Sequence, residues 1–102
     1  MTKRLKQVAA NILEGFLLSL GIPPNDSEDT MEVQSYGPHH VYTKVAQTGG
    51  IDPAETLEKL VQYVTHHNAL PGAVRFEAYN VQAYVCPCGC KTFLYVSISH
   101  TA

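Results

Sequence analysis

Apolar residues recur along the first part of the chain at Leu5, Val8, Ala9, Ile12, Leu13, Phe16, Leu17 and Leu20. Steps of three and four place them on one side of a helix, so the spacing predicts an amphipathic helix over 3–20. Gly21 suits the position just past the helix end, and Pro23-Pro24 forbid its continuation. Gly15 inside this helix costs about 1 kcal/mol relative to Ala, which points to a close crossing by another element.

The pattern then changes. "NDSEDTME" (25–32) holds four of the nine acidic residues and reads as a solvated loop. It lacks the ligand spacing of a calcium loop. "EVQSYGPHHVYTKVA" gives two short strand-like runs about Gly37-Pro38, with Val41, Thr43 and Val45 on one face and His40, Tyr42 and Lys44 on the other. Gly49-Gly50 break this run. A second helix follows, with Asp52 as N-cap, Pro53 at its first position and Glu55 in a capping-box position. Its expected buried stripe is Ala54, Leu57, Leu60, Val61 and Val64, and its expected end is near His67-Asn68.

From Ala73 the period is two. One long strand is expected over 73–86, bent at Asn80, and another over 91–99. The expected fold class is α+β: an antiparallel β-sheet of two hairpins, about four strands, with two amphipathic helices packed on one face. The order is α-β-β-α-β-β.

Length and composition narrow this picture. The 102 residues fit one small domain, and an apolar share of 45% is enough for a core. No apolar run is long enough to span a bilayer; the longest, "NILEGFLLSLGI", is interrupted by Glu14. The basic start "MTKRLK" leads into an amphipathic helix without a cleavage site, so a soluble, cytoplasmic protein with no membrane partner is expected. A net charge of −2 argues against a general electrostatic grip on nucleic acid.

The sharpest chemical feature is "YVCPCGCKTFLYV", in which Cys86, Cys88 and Cys90, the only cysteines of the chain, fall within five residues. They sit between two strands, at a hairpin tip. "CPCGC" resembles the Cys-Pro-x-Cys-Gly half-site of zinc ribbons and rubredoxin-like knuckles, shortened by one residue and carrying an extra Cys. This is a likeness over five residues and no family assignment. It implies a structural zinc held by Cys86, Cys88 and Cys90. Zinc takes four ligands, and there is no second CxxC. His66, His67 and His100 belong near the far end of the hairpin, which leaves His39 and His40 as the expected fourth-ligand candidates. A thiol redox or metal-handling role is the rival reading, weakened because thioredoxin-like pairs sit at a helix N-terminus. Buried, inert thiols are the plainest alternative.

Other features have ordinary explanations. His66 and His67 suit a helix C-terminus, where positive charge is favoured. Lys3, Arg4 and Lys6 crowd a helix N-terminus, which an acidic partner or the 25–32 loop would relieve. Tyr84 shares a face with Gln82 and Cys86, and Tyr95 with Phe93 and Ser97. Stacking of single strands there is poorly supported by Arg75 and Lys91, so cross-strand packing is expected. No Ser-His-Asp order, phosphate loop or zinc-protease motif is present. The expectation is therefore a small non-enzymatic binding, adaptor or regulatory protein, inhibitor-like in kind. It acts through another protein, a zinc knuckle as its staple, with a homo-oligomer or a partner that completes the metal site left open.

Overall fold

A computed structural model describes residues 2–22, 31–89 and 91–101. Its elements are α1 (Thr2–Ser19), β1 (Met31–Tyr36), β2 (His39–Thr48), α2 (Pro53–Asn68), β3 (Glu77–Val85) and β4 (Thr92–Thr101). The four strands form one antiparallel sheet in the order β1-β2-β4-β3. The order and class follow the pattern of the sequence. The proline pair, most of the acidic loop and Cys90 lie outside the described residues.

The ends of α1 and α2 show why the chain turns where it does. Ile22 N–H donates to Leu17 C=O at 3.1 Å and Gly21 N–H to Leu18 C=O at 2.9 Å. With Gly21 at φ +81°, these are the two bonds of a Schellman stop, and Ile22 and Leu17 are both buried in the apolar core. At α2, Asp52 accepts from Ala54 N–H at 3.3 Å with Pro53 at the first turn. Glu55, expected to reach back to the cap, lies 3.6 Å from the Lys59 ammonium. Gly37 at φ +64°, followed by Pro38 with its fixed negative φ, suits the two-residue type II′ turn joining β1 to β2.

Register decides which side of the sheet is core. Tyr42 faces Ile98, Lys44 faces Val96 and Ala46 faces Leu94 across β2 and β4. All six are buried, and they pack with Leu13, Phe16, Leu60 and Val64 of the helices, apart from Lys44, which belongs to no apolar cluster. Lys44 is 0% exposed, and its ammonium lies 3.6 Å from the Glu14 carboxylate of α1. Burial pushes the Tyr42 phenol above its ordinary pKa. Both helices therefore pack on the face of His40, Tyr42 and Lys44, while Val41, Thr43 and Val45 take the face without helices.

Two elements depart from expectation. In α2 the buried residues are Thr56, Leu60 and Val64, while Ala54 and Val61 are exposed. Thr56 can turn inward because its hydroxyl donates to the Asp52 carbonyl at 2.8 Å. The strand expected over 73–86 begins only at Glu77, because α2 claims the backbone before it. Asn68 Nδ2 donates to Phe76 C=O at 2.7 Å, and Phe76 N–H donates to Asn68 Oδ1 at 3.0 Å. One amide side chain thus supplies the pairing that a neighbouring strand would give. The expected bend near Asn80 is present as a register shift between Ala78 and Asn80.

Candidate functional site

The β3–β4 hairpin brings the cysteine turn and a group of aromatic side chains to one end of the sheet. Its last pair is Val85 with Thr92. Cys86 N–H then donates to Lys91 C=O at 2.9 Å, and Gly89 N–H donates to Cys86 C=O at 2.7 Å. The second bond closes a β-turn over Cys86-Pro87-Cys88-Gly89, with Pro87 in the position that its fixed φ suits. Gly89 at φ +74° supplies the left-handed residue that returns the chain to β4.

The turn sets two sulfurs side by side. Cys86 Sγ and Cys88 Sγ are 3.2 Å apart. Cys86 is a free thiol and half-buried, whereas Cys88 is exposed and disulfide-bonded. Cys90 lies outside the described residues.

The histidines lie elsewhere. His39 pairs with Thr101 and His40 with His100, whereas the cysteine end of β2 is Thr48, paired with Thr92. Eight residues of strand at about 3.3 Å each put His40 roughly 26 Å from that end. His39 Nδ1 lies 3.0 Å from Thr101 Oγ1, and His40 Nδ1 lies 3.0 Å from Ser35 Oγ. Among the described residues, Cys86 and Cys88 thus lie at the opposite end of the sheet from His39 and His40. The reason is the register of β2 on β4, which sends His40 to the same end as His100. Among the described residues no group of three or more His, Cys, Asp or Glu side chains could hold a metal ion.

His100, expected at the far end of the hairpin, is there, its Nδ1–H donating to Arg75 C=O at 2.8 Å. His67 Nε2–H donates to Val74 C=O at 2.8 Å. Both rings flank Phe76, at centroid distances of 6.1 Å for His67 and 5.5 Å for His100. These two histidines support the segment between α2 and β3.

The face without helices holds the second group. Tyr84 stands directly opposite Phe93, and Gln82 opposite Tyr95. Across β4, Val45 stands opposite Tyr95 and Gln47 opposite Phe93. Tyr84 is 50% exposed and Tyr95 36%, while Val45 and Phe93 are half-buried. Further along the same face Thr43 Oγ1 and Ser97 Oγ hydrogen-bond at 2.7 Å, so the polar centre is satisfied internally. The charged residues that strands place on this face are Glu32 and Glu77, at its two edges. Period-two alternation signals which residues share this face; it does not signal that the helices would choose the other one.

Among the described residues no helix is long and apolar enough to cross a membrane. Comparison with protein-family models, with curated proteins and with solved structures finds no match to this chain.

Proposed function

We propose that this chain is a small non-enzymatic binding module that engages a protein partner through the aromatic end of its helix-free sheet face. The observation behind this reading is the patch formed by Tyr84, Phe93, Tyr95 and Val45, rimmed by Gln47 and Gln82. Tyrosine-rich, uncharged patches with an amide rim have the composition of protein interface cores. A nucleic-acid surface would need Lys or Arg on the same face, and the charges that the strands place there are acidic.

A photoreactive side chain placed at Tyr95, in cells expressing the full chain, tests the reading against the same group at Glu58, which is exposed on α2. The expected result is a discrete adduct from Tyr95, lost on Tyr84→Ser and absent from Glu58. An adduct of twice the chain mass would identify the partner as a second copy. Equal, diffuse labelling from both positions would overturn the proposal.

A further inference from the structure

The cysteine turn plays no part in the binding reading, and its geometry has chemistry of its own. Cys86 Sγ lies 3.2 Å from Cys88 Sγ, within the separation of about 3–3.5 Å from which reacting atoms go on to bond. The two sulfurs differ in access and state. Cys88 is exposed and already part of a disulfide, whereas Cys86 is half-buried and a free thiol. In this state an external thiol therefore meets the Cys88 disulfide more readily than the half-buried Cys86. The Gly89–Cys86 and Cys86–Lys91 backbone bonds fix this arrangement, so approach of the sulfurs needs no rearrangement of the strands.

We infer that Cys86 is a resolving thiol that discharges whatever sulfur is bound to Cys88, which makes the hairpin tip a thiol–disulfide exchange site for low-molecular-weight thiols and disulfides. In the exchange, Cys86 gives its proton to solvent and its thiolate attacks Cys88 Sγ. The Cys86–Cys88 bond forms and the existing bond from Cys88 to its sulfur partner breaks. That partner leaves as a thiolate and takes a proton from water. One disulfide is exchanged for another, with no external oxidant. From the reduced state, a low-molecular-weight disulfide RSSR is the oxidant. Cys88 attacks it, releases RS⁻ and keeps SR, and Cys86 then displaces the second RS⁻. Two protein thiols and RSSR become one protein disulfide and two RSH.

The experiment uses the full chain, reduced, freed of reductant and exposed to glutathione disulfide, then acid-quenched, alkylated and mapped by fragmentation mass spectrometry. Cys90→Ser removes the third cysteine as a competing resolver, and Cys90→Ser/Cys86→Ser removes both. In Cys90→Ser the glutathione adduct at Cys88 should decay into a Cys86–Cys88 disulfide. In the double variant the adduct should persist, at about tenfold or more the level in the single variant. Equal adduct in both variants, or no Cys86–Cys88 bond in Cys90→Ser, overturns the proposal. Should either variant fail to fold, as read by circular dichroism, the wild-type chain in a glutathione redox buffer decides. Appearance of the Cys86–Cys88 linkage supports the exchange, and its absence at every buffer ratio refutes it.

Discussion

The two faces of the sheet are built from the same strands and treat their residues differently. On the helix side, Lys44 is completely buried between Met31 and Val96 and reaches Glu14 on α1. On the other side, Tyr84 and Tyr95 keep a third to a half of their surface in water. A charged side chain is inside and large aromatic ones are partly outside. At these positions the hydropathy of the residue alone does not decide burial. Lys44 is tolerable inside because its aliphatic stem packs and its ammonium has a carboxylate in reach. The tyrosines are tolerable outside because each has a polar tip to leave in water.

The largest expected effect tests the difference between the faces directly. Phe76 is 0% exposed, with Tyr42 packed edge-on at 6.0 Å, and Phe76→Ala should cost about 3–5 kcal/mol in urea unfolding. Tyr95→Ala should cost less than about 1 kcal/mol, since it loses only cross-strand contact. Comparable losses would mean that the helix-free face is core. Lys44 sharpens the same point. Lys44→Ala should cost about 2–4 kcal/mol, and Lys44→Met about 1 kcal/mol less or better, because Met restores the stem's volume without the charge. Equal costs would show that the ion pair with Glu14 outweighs packing.

Most of the scaffold was legible in the sequence, because each element is announced by a periodic signal and a local stop. The i, i+3, i+4 spacing from Leu5 to Leu20, Gly21, Asp52-Pro53 and the period-two run to Cys86 all act over a few residues. What was not legible depends on partners far along the chain. Alternation separates Val41 from Tyr42 but cannot say which meets the helices. Residues 73–76 read as strand, yet Asn68 takes the backbone of Phe76 instead. The same holds at the candidate site: the hairpin tip followed from the strands on either side, whereas the distance from His40 to the cysteines depended on the pairing of β2 with β4. Asn68→Ala tests one of these long-range links. It leaves the Phe76 N–H and C=O without their side-chain partner, at a cost of about 2 kcal/mol. Asn68→Asp, which accepts but cannot donate, should recover part of it. No loss in Asn68→Ala would mean that water replaces the amide.

Gly15 offers the finest test of how the helices meet. A glycine within a helix ordinarily gains about 1 kcal/mol on change to Ala. Here a Cβ on Gly15 would run into the hydroxyl of Tyr63 on α2, whose ring also packs edge-on against Phe16 at 5.6 Å. The ring carbon bearing that hydroxyl is 3.5 Å away, an ordinary contact. The obstacle is therefore one oxygen atom at the end of a side chain. Gly15→Ala alone should be nearly neutral, because displacement of Tyr63 cancels the helix gain. In a Tyr63→Phe background the same change should stabilise the protein by about 1 kcal/mol. Thermal melts of the four combinations measure the coupling between the two sites. If Gly15→Ala stabilises equally in both backgrounds, the helices do not approach as closely as Gly15 and Tyr63 indicate.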